Sequence, residues 1–188
     1  MIKLLIAEDE EIEVQSLIKK IDWEETGLEL VGIANNANEA IPLVKKYEPH
    51  ILITDIEMPG MSGIDLVSEI KLYQPDIKII FYTGHADFKY AKAGIQFHID
   101  EYITKPVEKA YLNKVLKRLA CSSAIEKQKK LEEKVFKQQI IESKPILRDR
   151  FLKDWAIGLY NNDSIILSRL NFLEINKSNP YKFKTIKV

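Results

Sequence analysis

The amino-acid sequence predicts an α/β fold in which a doubly wound, five-stranded parallel sheet carries helices on both faces. Over residues 1–120, five short apolar segments alternate with five segments whose apolar residues recur at helical spacing. One segment, Ile51-Leu52-Ile53, is apolar without interruption, which is typical of a strand buried on both faces of a parallel sheet. Alternation of strands and helices favours right-handed crossovers, and these place helices on both faces of the sheet.

The individual elements are predicted from apolar runs that end at polar, glycine or proline residues. The predicted strands are 3–7, 28–34, 51–55, 77–83 and 101–104. The predicted helices are 10–20, from residue 36 or 38 to 47, from 62 or 63 to near 75, 87–96 and 107–119. Asn36, Asn38 and Ser62 are residue types that cap helix N-termini well. The buried stripe of the first helix is expected to comprise Ile12, Leu17, Ile18 and Ile21.

Polar and charged side chains follow four of the five predicted strands. These residues are Glu8 and Asp9 after the first strand, Asp55 at the end of the third, Thr83 at the end of the fourth and Lys105 after the fifth. The carboxyl ends of parallel strands meet at one edge of a sheet, where open α/β sheets bind their ligands. A purely structural interpretation remains open, because Asp55 could cap the next helix and Glu8 and Asp9 suit a helix N-terminus.

The chemistry of this edge is that of a metal site facing a phosphate. Two carboxylates about 4 Å apart repel each other by about 4 kcal/mol at an effective dielectric constant of about 20. Lys105 offsets one of the three negative charges, and a divalent cation such as Mg²⁺ would bring the cluster close to neutral. An Asp carboxylate can attack phosphorus to form an aspartyl phosphate, and a Thr hydroxyl can reach a phosphoryl oxygen.

Four stretches of the chain resemble the receiver domain of two-component response regulators, which has a flavodoxin-like, CheY-like fold. The stretches are residues 7–10 (AEDE), 54–63 (TDIEMPGMSG), 83–84 (TG) and 105–106 (KP). The resemblance covers residues 1 to about 120 and implies a phosphoacceptor signalling domain that assists its own phosphotransfer and dephosphorylation rather than an enzyme.

The resemblance also implies a role for each site residue. Asp55 would be the phosphoacceptor, and Lys105 would contact the phosphate. Thr83 and Tyr102 would form a switch pair, and the bond between Lys105 and Pro106 would be cis. The ligands of Mg²⁺ would be Glu8, Asp9, Asp55 and the backbone carbonyl of Glu57. The implied partner is a sensor histidine kinase.

The resemblance is narrower still, to receivers of YesN/AraC-type transcriptional regulators, at residues 21–24, 84–91 and 100–102. In that family a helical linker and a middle region join the receiver to a C-terminal helix-turn-helix domain. Such a motif is not visible in this sequence, so we expect DNA binding only through a domain absent from the chain. We also expect a homodimer, formed through the receiver or the linker helix.

Charge and composition divide the chain near residue 120. Residues 1–120 carry 14 Lys and Arg against 20 Asp and Glu, whereas residues 121–188 carry 14 against 8. We predict a receiver at 1–120, a helical linker at 121–145 and part of a middle or output region at 146–188. Cys121 is the only cysteine, which excludes a disulfide framework and a thiolate metal site. The sequence has no apolar run that could span a bilayer, so a cytoplasmic location is expected.

The basic tail is predicted to be mostly helical. A helix should run to about Ser143 and end at Lys144-Pro145, with a heptad pattern too interrupted to decide whether it is a coiled coil. An apolar stripe then includes Ile146, Leu147, Phe151, Leu152, Trp155 and Leu159. A short helix through Leu173 and a strand at 181–188 follow, and we expect the chain to stop inside a second domain.

Other functions remain as alternatives. A haloacid-dehalogenase-like, Mg²⁺-dependent phosphatase also uses an Asp nucleophile, but after its first strand and with a second Asp two residues later. A flavodoxin-like cofactor-binding protein would have a phosphate-binding loop where this chain has Glu8 and Asp9. A docking module that is never phosphorylated would not need Asp55 and Lys105. The basic tail could attract nucleic acid, although its charge is more typical of a solvated helical surface.

Overall fold

A computed structural model describes residues 1–84, 99–160 and 162–175 of the chain. Its centre is a sheet of five parallel strands in the order β2-β1-β3-β4-β5. The strands are β1 Ile2–Ala7, β2 Leu28–Ala34, β3 Ile51–Thr54, β4 Lys78–Thr83 and β5 Glu101–Thr104. The predicted fold class is therefore confirmed, and every described strand lies within two residues of its predicted position.

The strand order brings the ends of β1 and β3 together at the middle of the sheet. Ala7 pairs in register with Ala34 of β2 on one side and with Thr54 of β3 on the other. The chain crosses from β1 to β2 in one direction, then returns from β2 past β1 to β3 and continues to β4 and β5 in the other. The crevice where that direction reverses is the usual ligand site of open α/β sheets.

Six helices are described, and the caps of two agree with prediction. The helices are α1 Glu11–Lys20, α2 Trp23–Thr26, α3 Ala37–Tyr47, α4 Gly63–Tyr73, α5 Lys109–Ala156 and α6 Asp163–Phe172. The side chain of Asn36 accepts from the backbone N–H of Glu39 at 2.9 Å, and that of Ser62 accepts from Asp65 at 3.2 Å. The short helix α2 was not predicted. The predicted helix at 87–96 lies outside the described residues.

Alternate residues of the strands pack on opposite faces of the sheet. One apolar cluster includes Leu4, Ile6, Ile53 and Tyr82 from the strands with Leu17, Leu112 and Leu116 from α1 and α5. The other includes Leu5, Leu52, Ile79 and Phe81 with Val44, Leu66 and Val67 from α3 and α4. Helices therefore cover both faces, as predicted. The candidate site residues lie at the edge formed by the carboxyl ends of the strands.

One residue of the predicted stripe on α1 is exposed. Ile12 is 82% exposed, and Val14 is buried with Leu17 and Ile21 instead. Val14, Leu17 and Ile21 are buried and Ile18 is partly buried, and positions three, four and seven residues after Val14 share one helical face. Ile12, two residues before Val14, therefore falls on the opposite side of the helix.

The end of the predicted linker helix at Lys144-Pro145 is wrong. Helix α5 is 48 residues long and continues through Pro145 to Ala156. A proline inside a helix costs about 3 kcal/mol, whereas burial of one large apolar side chain contributes about 1.5–3 kcal/mol. Beyond Pro145, Phe151 is buried together with Ile166 and Leu170 of α6, and the burial of all three side chains outweighs the penalty.

The chain divides into two compact units, Met1–Gln128 and Lys129–Val188. In the second unit the ring of Phe151 lies 5.8 Å from that of Trp155 and 5.3 Å from that of Tyr160, centroid to centroid. Three residues predicted in the same stripe, Ile146, Leu147 and Leu159, are exposed. The predicted strand at 181–188 lies outside the described residues, and the boundaries at 120 and 145 stay predictions. Among the described helices, none is both long and apolar enough to cross a membrane.

Candidate functional site

Backbone hydrogen bonds carry the sheet one residue beyond the strands and so place the site residues. The N–H of Glu8 donates to the carbonyl of Ala34, and that of Asp55 donates to Ala7, both at 2.9 Å. The N–H of Lys105 donates to the carbonyl of Thr83, also at 2.9 Å. Because these bonds belong to neighbouring strands, the side chains that follow β1, β3 and β5 leave the sheet at one edge.

Three carboxylates meet at this edge. Oxygen atoms of Glu8, Asp9 and Asp55 all lie within 4.8 Å of one another. Glu8 and Asp55 are buried, with exposures of 1% and 6%, whereas Asp9 is exposed. The cluster therefore has a buried floor and one acid that reaches solvent. Oxygen ligands of this kind suit a hard divalent cation, so the predicted Mg²⁺ fits the donor set.

Lys105 bridges the two buried acids. Its Nζ lies 2.8 Å from Glu8 Oε2 and 2.8 Å from Asp55 Oδ2. Burial alone would lower the pKa of Lys105, but hydrogen bonds and charge from Asp55 and Glu8 outweigh burial and raise it. Lys105 therefore stays cationic and offsets one carboxylate charge.

Glu8 is the carboxyl group of the cluster whose pKa is raised. Burial, assisted by the charge of Asp55, raises the pKa of Glu8 to about 7, although Lys105 opposes the shift. A carboxyl group with this pKa is only partly ionised near neutral pH. A bound cation would favour its ionised form, which again fits a metal ligand.

Asp55 is held by groups on both sides of its carboxylate. Oδ1 accepts from the backbone N–H of Ile56 at 2.5 Å and from that of Glu57 at 3.3 Å, while Oδ2 accepts from Lys105. The N-terminus of the following helix α4 is capped by Ser62 instead. The structural interpretation of Asp55 as a helix cap is therefore wrong, and its carboxylate points into the cluster.

The other predicted site residues lie at the same edge or beside it. Thr83 is the last residue of β4, is 1% exposed and pairs in register with Thr104. Tyr102 is half-buried in β5 opposite Phe81 and packs against the α3 and α4 face of the sheet. Glu57 is exposed in the loop after β3. The bond between Lys105 and Pro106 is cis. The roles assigned to these residues stay predictions.

Gly63 is a site residue whose importance the sequence analysis missed. A Cβ atom added to Gly63 would lie 1.9 Å from the backbone oxygen of Asp55. The N–H of Gly63 donates to the carbonyl of Ile56 at 2.8 Å. The loop after β3 therefore folds back on Asp55 at a distance that admits no side chain. The sequence signals were a glycine where a helix begins and its place as the last residue of the stretch 54–63.

Tyr82 is a second residue that was missed. Its ring centroid lies 5.1 Å from Lys105 Nζ, and its hydroxyl donates to Glu13 Oε2 at 2.8 Å. In the sequence Tyr82 is one more apolar residue in a buried strand. Its contact with Lys105 joins residues 23 positions apart and leaves no local pattern.

The chain matches the model of a known protein family. A model of the response regulator receiver domain matches residues 4–117. The chain is 28% identical over 159 residues to the uncharacterized transcriptional regulatory protein YesN of Bacillus subtilis strain 168, a match that covers 85% of this chain and 43% of YesN. It is 38% identical over 119 residues to the transcriptional regulatory protein HptR of Staphylococcus aureus strain N315, covering 63% of this chain and 46% of HptR. The matches span less than half the length of these curated relatives.

Solved structures show the same likeness. The receiver domain of AraT, a response regulator from Geobacillus stearothermophilus, is 31% identical with a TM-score of 0.63, covering 66% of this chain and 97% of that domain. A two-component transcriptional regulator AraC from Clostridium phytofermentans is 31% identical with a TM-score of 0.58, covering 69% of this chain and 99% of that structure.

Proposed function

The chain belongs to the response regulator receiver domain family, and we propose that its Asp55 accepts a phosphoryl group from a sensor histidine kinase in a magnesium-dependent reaction. One observation carries this proposal. The carboxylate of Asp55 lies at the sheet edge, bridged to Glu8 by Lys105 and adjoining the acids Glu8 and Asp9. An isolated surface aspartate would have neither the cationic partner nor the flanking oxygen ligands.

The chemistry follows from the groups around Asp55. A carboxylate oxygen of Asp55 forms the new bond to phosphorus while the bond between phosphorus and the histidine nitrogen breaks, and that electron pair stays on the nitrogen. Lys105, which is cationic and 2.8 Å from Asp55 Oδ2, is placed to balance charge on the transferred phosphoryl oxygens. Mg²⁺ held by Glu8, Asp9, Asp55 and the backbone carbonyl of Glu57 would supply further positive charge.

The dehalogenase-like phosphatase is not favoured. That class places its nucleophile after the first strand, whereas Asp55 follows β3, and here β1 is followed by Glu8 and Asp9. The place of its second acid, two residues after the nucleophile, is taken by the exposed Glu57. The family match also covers residues 4–117, which take in part or all of every strand rather than one motif.

Incubation with acetyl phosphate tests the proposal directly. The protein should gain one phosphoryl group when Mg²⁺ is present, and intact-mass analysis should detect it. Excess chelator should prevent the gain, because the clustered carboxylates would then repel the incoming phosphate. An equal gain with and without chelator would contradict the magnesium dependence. No gain under either condition would contradict the phosphoacceptor role.

A second prediction concerns the proposed switch pair. Thr83→Ala should still accept a phosphoryl group, but the NMR signals of the Tyr102 ring should no longer change on phosphorylation. A hydroxyl bond to a charged phosphoryl oxygen contributes about 1.5–3 kcal/mol, whereas moving a population from 1:99 to 99:1 takes about 5.5 kcal/mol. Lys105 must therefore contribute to the switch as well.

Thr83→Ser is the matched control, because it keeps the hydroxyl and should keep the response of Tyr102. If Tyr102 responds equally in the alanine variant, the two residues are not coupled.

We further propose that phosphorylation controls transcription through a separate DNA-binding region. The support is the likeness to YesN and HptR, whose names describe transcriptional regulatory proteins and whose lengths exceed the matched part. A homodimer and a cytoplasmic location, both expected from the sequence, belong to the same proposal.

A further inference from the structure

We propose that Tyr82 is a positioning residue for Lys105: its ring holds the ammonium group between Glu8 and Asp55, and Glu13 in turn fixes the ring. This inference rests on the proposed function, since it concerns the cation that faces the phosphoryl group. It adds to that function two residues, Tyr82 and Glu13, that lie outside the carboxylate cluster.

The first step of the argument is the set of contacts around the ammonium group. Nζ of Lys105 reaches Glu8 and Asp55 at 2.8 Å each, and the centroid of the Tyr82 ring lies 5.1 Å away. A cation within about 6 Å of an aromatic centroid is attracted by the negative face of the ring. A lysine side chain has a flexible four-carbon stem, so each such contact reduces the positions that its charge can occupy.

The second step is the fixed orientation of the ring. Tyr82 is 1% exposed and packs in the cluster that α1 and α5 form on one face of the sheet. Its hydroxyl donates to Glu13 Oε2 of α1 at 2.8 Å. Burial, together with Glu13, raises the pKa of Tyr82, so the hydroxyl keeps the proton that it donates. The ring is therefore anchored at its far end.

The third step is the kind of charge that the site can tolerate. Glu8, Asp9 and Asp55 already surround the position where an anionic phosphoryl group would arrive. Another carboxylate could also hold Lys105, but it would add to the repulsion of the phosphate. An aromatic ring attracts the ammonium group without adding a net negative charge. Tyr82 thus restrains Lys105 and leaves its charge available.

The test compares initial rates of phosphorylation by acetyl phosphate at saturating Mg²⁺. Tyr82→Leu should lower the rate about 3- to 30-fold, which at about 1.36 kcal/mol per tenfold corresponds to about 0.7–2 kcal/mol. Tyr82→Phe keeps the ring but loses the hydrogen bond to Glu13, and its rate should fall between those of the wild type and Tyr82→Leu. Phe81→Leu is the matched control, because Phe81 is equally buried in β4 but belongs to the cluster on the other face of the sheet.

Two further variants separate positioning from a general packing defect. In a Lys105→Met background, Tyr82→Leu should cause no additional loss of rate, because the cation that it restrains is gone. If Tyr82→Leu does not fold, pentafluorophenylalanine at position 82 keeps the shape of the ring but removes its negative face, and should lower the rate relative to Tyr82→Phe.

The outcomes distinguish this inference from the proposed function. A wild-type protein that takes up no phosphoryl group would overturn the proposed function. Uptake by the wild type with equal losses in Tyr82→Leu and Phe81→Leu would overturn only the role of Tyr82. A full additional loss in the Lys105→Met background, or equal rates for the fluorinated and ordinary rings, would overturn it too.

Discussion

Asp55→Asn is expected to abolish phosphorylation by acetyl phosphate, with no phosphoryl adduct detectable by intact mass. The amide that replaces the carboxylate is a far weaker nucleophile and cannot form a stable acyl phosphate. It also removes the charge that Oδ2 presents to Lys105 at 2.8 Å. The backbone donors Ile56 and Glu57 can still reach the amide oxygen, so the fold should survive the change.

Asp76→Asn is the matched control for this substitution. Asp76 is an exposed aspartate that precedes β4, at the opposite edge of the sheet from Asp55. The control should be phosphorylated at the wild-type rate. An adduct of wild-type yield on the Asp55→Asn protein would place the phosphoacceptor elsewhere.

Gly63→Ala is expected to destabilise the protein by about 3 kcal/mol, at the upper end of typical overpacking effects. The new methyl group would lie 1.9 Å from the backbone oxygen of Asp55, so the main chain itself must move. Urea unfolding monitored by circular dichroism should show the loss as a lower midpoint. Because the displaced carbonyl belongs to Asp55, the rate of phosphorylation should fall as well.

Gly32→Ala provides the comparison. A Cβ atom on Gly32 would meet only side-chain atoms of Leu43 and Leu5, at 3.5 Å, which is ordinary van der Waals contact. We expect a change within about 1 kcal/mol in either direction. If the two alanine variants were equally stable, the loop after β3 would have to be less constrained than its geometry indicates.

The fold and the carboxylate cluster could be predicted because both follow from patterns that are local along the chain. A run such as Ile51-Leu52-Ile53 indicates a buried strand wherever it occurs, and parallel strands end at the same edge of a sheet. Glu8, Asp55 and Lys105 each follow a strand directly, so recognising the strands was enough to bring the three side chains together. The structure confirms that they meet.

Sequence reasoning failed where the outcome depended on partners distant along the chain. It ended the linker helix at Pro145, since the local penalty of a proline is visible and the compensating burial of Phe151 against Ile166 and Leu170 is not. The assignment of Ile12 to the buried face of α1 was instead an error of local periodicity, because Ile12 lies two residues before Val14 and so on the other side of the helix.

The amino-acid sequence by itself therefore determined the positions of the strands, the class of the sheet and the residues of the acidic edge, because periodicity and strand ends are local properties. Only the tertiary structure decided which groups control Asp55 and Lys105. Gly63 matters because backbone from two segments approaches to a distance that excludes a Cβ atom. Tyr82 matters because its ring, on one face of β4, lies near Lys105, which follows β5. Its hydroxyl also donates a hydrogen bond to Glu13 of α1. Such contacts depend on three-dimensional packing, and no spacing in the chain encodes them.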